Sequence, residues 1–328
     1  MSMTRRTILA AAPVAAATAI GGSAVAQTQA PAQGSAADAG KPATGFYRYK
    51  VGDLEVTAIF EGWAPRPLEN FVRNAQLPEV QAAAREAFLP TEQIQNTFTT
   101  LVVRNGNRVT LLDTGLGDSG PPTTGHWTAN FRAAGLDPAQ VNTVIISHFH
   151  GDHIGGLRRR DGTAVFPNAE VMVPAAEWAF WMDDARMNQA PEAQRGGFQN
   201  ARRVFGPMAK DVKQYEADKE LVPGITSIAL PGHTPGHMGF MVSSGNGRLM
   251  VLSDSANHPA LFVRNPDWSA VFDMDADQAR ATRRRMLDMA STERAQVAFY
   301  HAPFPATGYI AKEGNGFRFV PVQWTTAS

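Results

Sequence analysis

Ser147-His148-Phe149-His150-Gly151-Asp152-His153-Ile154-Gly155-Gly156 is the segment on which the reading of this chain turns. It follows directly on Val144-Ile145-Ile146, a short apolar run of the kind that makes a buried strand. Three imidazoles and a carboxylate fall between positions 148 and 153. A helix would spread them around its axis at about 100° per residue, whereas a loop leaving a strand can aim all four at one region. In extended backbone His148 and His150 face the same side, because side chains alternate with period two. Asp152 and His153 can then turn toward a second position, and Gly151, Gly155 and Gly156 supply the backbone freedom for that turn. These ligand types suit zinc and similar divalent ions. A solvated polar loop is the competing reading. The whole chain holds only eight histidines, and a surface loop has no need for three of them just after a buried strand.

Composition narrows the rest. The 328 residues are 44% hydrophobic and contain no cysteine, so a large core is available, disulfides are not, and any metal must be held by nitrogen and oxygen. Lys plus Arg and Asp plus Glu both number 30. That balance leaves no basic excess for a phosphate backbone and argues against nucleic acid as a partner.

Residues 1–26 read as an export signal. Arg5-Arg6 precedes an apolar, Ala-rich run from Ile8 to Ile20, and Ala24-Val25-Ala26 offers an A-x-A cleavage site. The run is too short and too weakly apolar to span a bilayer comfortably. Thr4-Arg5-Arg6-Thr7-Ile8-Leu9 resembles a twin-arginine signal, with an ordinary Sec signal as the alternative. The expectation is a periplasmic or secreted protein with no membrane attachment after cleavage. Residues 27–44, rich in Ala, Gly, Pro, Ser and Gln, read as a flexible linker.

From Gly45 to Ser328 the pattern is that of one α/β domain. Tyr47 to Phe60 alternates around Val51-Gly52-Asp53 as a hairpin would. Phe98 to Val103 and Val109 to Asp113 flank Asn105-Gly106, a hairpin-turn signal. Strands are expected at Glu170 to Val173, Ile225 to Leu230, Met238 to Val242, Leu249 to Leu252 and Val297 to Tyr300. Helices are expected over Ala175 to Asp184 and Ala276 to Ala290.

With these elements in place the chain resembles the metallo-β-lactamase superfamily. His148-x-His150-x-Asp152-His153 matches its H-x-H-x-D-H motif. The other parts follow in family order: Asp113-Thr114-Gly115 before the motif, Gly232-His233-Thr234-Pro235-Gly236-His237, Ser253-Asp254, and Tyr300-His301. The resemblance implies a four-layer αββα sandwich with its site at one edge of the two sheets. It assigns His148, His150 and His233 to one metal and Asp152, His153 and His301 to a second. Asp254 would bridge the two beside a hydroxide that acts as nucleophile, which makes Asp152 and Asp254 the carboxylates at the reacting centre. Zinc is the first choice for the two divalent ions, with manganese, cobalt or iron also compatible.

Within the superfamily, Gly45-Phe46-Tyr47-Arg48, Phe180-Trp181 and Gly314 to Val322 resemble the exported methyl parathion hydrolase-like and lactonase branch. That implies hydrolysis of aryl esters, lactones or phosphotriesters, small apolar or aromatic substrates, and Trp181 and Phe198 as substrate contacts. A homodimer is compatible with it. The chain departs from that branch at Gly117 to Trp127 and at Ser255 to Asp275. A β-lactamase would usually lack the bridging aspartate. Export away from glutathione argues against a glyoxalase II-like thioesterase, and the neutral charge against a nuclease. A non-catalytic metal-binding protein is the alternative of a different class.

The remaining residues of interest read more plainly. His237 is expected to be structural, His258 an exposed loop histidine, and His126 beside Trp127 a candidate for a pocket mouth. Arg158-Arg159-Arg160 and Arg283-Arg284-Arg285 read as solvated runs. Asp113 is expected to fix the loop beneath the motif through backbone N–H groups. Trp178, Phe180 and Trp181 cannot share one helix face, so at least one should point away from the core.

Overall fold

The structure, a computed structural model, describes residues 44–325. The expected signal peptide, and all of the expected linker except Thr44, lie outside the described residues. The strands, in chain order, are β1 (Phe46–Val51), β2 (Leu54–Pro67), β3 (Gln93–Asn105), β4 (Arg108–Leu112), β5 (Thr143–Ile145), β6 (Glu170–Pro174), β7 (Lys213–Tyr215), β8 (Glu220–Val222), β9 (Ile225–Ala229), β10 (Met238–Ser244), β11 (Gly247–Ser253), β12 (Gln296–Phe299), β13 (Thr307–Glu313) and β14 (Gly316–Pro321). The helices are α1 (Leu77–Glu86), α2 (Trp127–Ala133), α3 (Gly151–Ile154), α4 (Ala175–Trp181), α5 (Asp184–Gln189), α6 (Glu192–Phe205), α7 (Pro259–Phe262) and α8 (Ala276–Glu293). β1 to β7 form one seven-stranded sheet in sequence order, and β14 to β8 form another in reverse order. Among the described residues no helix is long and apolar enough to cross a membrane.

Period-two alternation then builds the layers. In the first sheet Val56, Leu101, Val103, Leu112 and Ile145 point to one apolar cluster, while Val102, Val109, Leu111, Val144 and Val171 point to another. The first cluster is shared with Phe240, Val242, Leu249 and Val251 of the second sheet, so it is the layer between the sheets. The outer faces bury against helices. Phe131 of α2 and Phe198 and Val204 of α6 cover the first sheet. Val80 of α1, Phe262 of α7 and Met286 and Leu287 of α8 cover Met250, Leu252 and Val297 of the second. This is the expected αββα sandwich, and it arises because the central strands bury residues on both of their faces.

Two local readings shift. β3 and β4 pair Asn105 with Arg108, so the two turn residues are Gly106 and Asn107, with Gly106 at φ +57°. The helix expected over Ala175 to Asp184 ends at Trp181, because Asp183 caps a new one: its carboxylate accepts the N–H groups of Ala185 and Arg186 at 2.8 and 3.1 Å.

Strand direction positions the site. β4, β5, β6 and β7 are parallel, as are β11 and β12. β9 and β11 run the same way, since each is antiparallel to β10. The segments that carry the candidate ligands therefore leave the C-terminal ends of β5, β9, β11 and β12.

Candidate metal centre

The loop after β5 is clamped from below. Asp113, in left-handed backbone at φ +58°, accepts the Ser147 N–H at 2.7 Å, the Ser147 hydroxyl at 2.8 Å and the His153 Nδ1–H at 2.9 Å. It is thus the expected loop-fixing residue, though only one of these donors is a backbone group. Thr114 N–H donates to His153 O at 2.8 Å, and Gly156 N–H to Gly115 O at 2.9 Å. A β-carbon at Gly156 would fall 2.0 Å from the Thr114 carbonyl oxygen, so this approach needs glycine. Gly232, at φ +124°, lets the β9 loop lie against the start of α8 in the same manner.

The seven predicted ligands converge in two groups. One donor atom from each of His148, His150 and His233 lies within 4.8 Å of the others, and the same holds for Asp152, His153, Asp254 and His301. Asp254 stands between the groups. Its Oδ2 is 2.9 Å from His301 Nε2, 3.3 Å from His233 Nε2 and 4.0 Å from His148 Nε2, and its Oδ1 is 3.3 Å from His153 Nε2. The histidines are also tied on their outer sides. His148 Nδ1 meets Ser147 Oγ at 3.0 Å, His233 Nδ1 meets Asp273 Oδ1 at 3.0 Å, and His301 Nδ1 donates to the Thr97 carbonyl at 2.9 Å. Such outer partners fix which ring nitrogen faces inward.

The inward atoms fit divalent ions. His148 Nε2, His153 Nε2 and Asp254 Oδ1 are buried without a hydrogen-bond partner, a costly state that a bound cation would relieve. Imidazole and carboxylate, without thiolate, are the donors of a zinc-type hydrolytic site. The side chains of six donors cannot be reached equally: Asp152 retains 21% of its exposure, whereas His148, His153, His233, Asp254 and His301 keep 3% or less. The opening to solvent is therefore on the Asp152 and His150 side.

Protonation in the metal-free cluster follows the same geometry. Burial, helped by His153, holds His148 well below the ordinary imidazole range. Burial and His233 push His150 down to about 3. For His153 and His233 burial acts downward too, but carboxylates outweigh it. Asp254, Asp113 and Asp152 lift His153 well above its usual value, and Asp254 and Asp273 lift His233 to about 9. Protons on these two rings stand where cations would otherwise balance the carboxylates.

Several neighbours differ from expectation. His258 is buried at 4% exposure, not exposed; it precedes α7, its Nδ1 has no hydrogen-bond partner, and burial lowers it to about 4. Arg283 is likewise buried rather than solvated. It pairs with Asp273 at 3.1 Å and donates to the Ser255 carbonyl at 2.7 Å, linking the residue behind His233 to the chain beside Asp254. Arg285 remains exposed, and Arg284 pairs with Asp267. His237 is structural: Nδ1 donates to the Leu230 carbonyl at 2.9 Å, and Nε2 accepts the Asp254 N–H at 3.3 Å. His126 is exposed at the start of α2, while Trp127 is buried and donates to Thr100 Oγ1 at 2.8 Å.

The expectation that one of Trp178, Phe180 and Trp181 points away from the core is not met: all three pack against the same apolar cluster, on different members of it. Trp178 packs on Phe205, Trp181 and Phe180 pack on Phe198, and Arg186 lies over the Phe180 ring. Trp181 and Phe198 are both buried, and the Trp181 ring is 6.2 Å from that of His150. Phe180 keeps partial exposure. The residue that sequence reasoning missed is Glu177, fully buried on α4. It accepts the Phe149 N–H at 2.9 Å, the Gly236 N–H at 2.7 Å and the Trp181 indole N–H at 2.9 Å. One carboxylate thus joins the two ligand loops and Trp181. Its position three residues after a strand-ending Pro174 carries no signal of this.

The family model of the metallo-beta-lactamase superfamily matches residues 95–301. The chain belongs to this superfamily. An N-acyl homoserine lactonase of Bacillus sp is 26% identical over 170 residues, 52% of this chain and 59% of that protein; the chain thus spans about three fifths of the length of that curated relative. Among solved structures, AidC, described as a dizinc quorum-quenching lactonase bound to a product, superposes with a TM-score of 0.82 at 26% identity, over 86% of this chain and 99% of its own. The hydrolase AbOPH of the beta lactamase superfamily superposes equally well, TM-score 0.82, at 24% identity over 87% and 100% of the two chains, a likeness of fold.

Proposed function

We propose that this protein is an exported, dinuclear metal-dependent hydrolase that opens lactones and cleaves aryl esters. The observation that carries the reading is the position of Asp254, within 4.0 Å of both imidazole groups. In this reading His148, His150 and His233 hold one ion, Asp152, His153 and His301 the other, and Asp254 faces both. Two divalent ions held there, zinc by likeness to the dizinc lactonase, would supply Lewis acidity toward a carbonyl and a water of lowered pKa. Ser147, Asp273 and Thr97 orient the imidazoles from behind, and Asp113 and Tyr300 hold the 147–153 loop, the latter by donating to the Asp152 carbonyl at 2.5 Å. The lactonase names carried by relatives support a lactone substrate.

The leaving group is the finer part of the proposal. The H-x-H-x-D-H motif itself supplies no clear general acid for a departing alkoxide, so substrates whose leaving group needs no proton are favoured. A phenolate, with a pKa of about 10 as for Tyr, meets that need. Trp181, beside His150, and the partly exposed Phe180 offer an aromatic wall for it, with buried Phe198 packed behind them. Zinc-loaded protein tested on aryl esters, alkyl esters of matched size, N-acyl homoserine lactones, phosphotriesters and β-lactams decides the class. Aryl esters and aryl lactones should turn over faster than alkyl esters of matched size, and Trp181→Ala should slow aryl substrates more than small alkyl ones. Equal rates on aryl and alkyl esters, with an equal loss in the variant, would refute the aromatic wall. Export by the twin-arginine route rests on Arg5-Arg6 and Ala24-Val25-Ala26. Replacing both arginines by Lys should leave the precursor in the cytoplasm, and normal export without the twin-arginine translocase would overturn that route.

A further inference from the structure

Phe88 is 97% exposed. It follows α1 at φ +57°, where the Leu89 N–H returns to the Ala84 carbonyl at 2.9 Å and closes the helix end. Glycine is the usual residue at such a left-handed position, because a β-carbon is strained there. A phenylalanine held in that conformation, fully in water, gains nothing from its own chain. Immediately beside it opens a cavity of about 470 Å³, walled by Ala83, Ala87, Leu89, Phe317 and Phe319. Ala87 and Leu89 are the residues that flank Phe88. Glu86, Arg264, Glu313 and Arg318 also line this cavity, two of each sign.

We propose that Phe88 and this cavity are the two halves of a two-fold contact, in which Phe88 of each copy of the chain fills the cavity of the other. A knob and a hole side by side on one surface are self-complementary under a two-fold axis, the commonest symmetry of homo-oligomers. Within one copy Glu313 pairs with both Arg318 at 3.4 Å and Arg264 at 3.8 Å, which leaves one positive charge of the rim in excess, and the same operation brings Glu86 of the other copy against Arg318. An aromatic anchor in an apolar pocket with a polar rim is the anatomy of a stable protein interface. A small molecule in the cavity would leave Phe88 in water, which is why a second copy is the better occupant. None of the seven candidate metal ligands lines the cavity, although His258 and Pro303 do, and the proposal does not depend on the reading of the activity.

Sedimentation velocity of the full chain over a wide concentration range tests this. The wild-type chain should dimerise. Phe88→Asp should weaken association by about tenfold or more, with an unchanged circular dichroism spectrum and unchanged ester hydrolysis. Phe88→Gly, which relieves the backbone strain, should lose the dimer while remaining folded. The chain has no cysteine, so single Glu86→Cys and Arg318→Cys chains, mixed and mildly oxidised, should form a mixed crosslinked dimer. A wild-type chain that stays monomeric throughout, a dimer that survives Phe88→Asp, or a mixture that does not crosslink would each overturn the proposal.

Discussion

The carboxylate of Asp273 meets Nδ1 of His233 at 3.0 Å, and its other oxygen meets the buried guanidinium of Arg283 at 3.1 Å. The far nitrogen of His233 is thereby turned toward Asp254. Arg283 is 1% exposed and Asp273 is equally buried, so each needs the other. Breaking such a pair from one side is costly. Arg283→Met is expected to lower the unfolding free energy by about 3–5 kcal/mol, read from urea melts. It should also weaken metal binding by about 10–100-fold, as loss of an outer partner typically does. Unchanged melts and unchanged affinity would mean that the pair does not support the site.

Metal binding should release protons. In the metal-free chain His233 titrates at about 9, above its ordinary 6.5, and His153 is raised as well. A folded value above the unfolded one stabilises the metal-free fold fully below about pH 6.5, and that contribution is lost as the pH rises through about 9. Near neutral pH a divalent ion has to displace these protons. Zinc affinity should therefore rise with pH up to about 9, and calorimetry in buffers of different ionisation enthalpy should report proton release. Buffer-independent heats at pH 7 would contradict the assignment of these rings as ligands.

Asp254 faces both imidazole groups, so its loss should be felt by both. Asp254→Ala is expected to reduce the metal content from about two ions per chain to one or fewer, and to abolish hydrolysis. Elemental analysis that finds the same content in the variant would remove Asp254 from the centre.

Glu177 uses both oxygens as acceptors, Oε1 for Gly236 and Oε2 for Phe149 and Trp181. Glutamine has the same shape but only one acceptor oxygen. Glu177→Gln should turn an NH₂ group against an N–H donor and cost about 1–3 kcal/mol. The Trp181 fluorescence should shift, and zinc affinity should fall, because the loops carrying His148, His150 and His233 lose their common tie. A variant with wild-type fluorescence and affinity would show that the backbone holds these loops unaided.

How far the site could be read from the chain depended on the range of each interaction. The four donors between His148 and Asp152-His153 are neighbours, and a strand followed by glycines is enough to aim them. Their partners His233, Asp254 and His301 were legible through the order of family motifs, each at the end of an apolar run. Arg283 was not, because a triplet of arginines on a helix looks solvated until Asp273, ten residues earlier, is folded beneath it. His258 was not, because its burial comes from the packing of α7 against α1 and β14, which adjacent residues do not encode.

The sequence by itself determined the alternation that makes two sheets, the strand-end positions of the ligands and the kind of metal they suit, since these follow from local period and donor chemistry. Only the tertiary structure decided which charges are buried. Glu177, Asp273 and Arg283 are placed inside by contacts between segments distant along the chain. The cost of burying a charge is set by the partners it finds there, not by its neighbours in sequence.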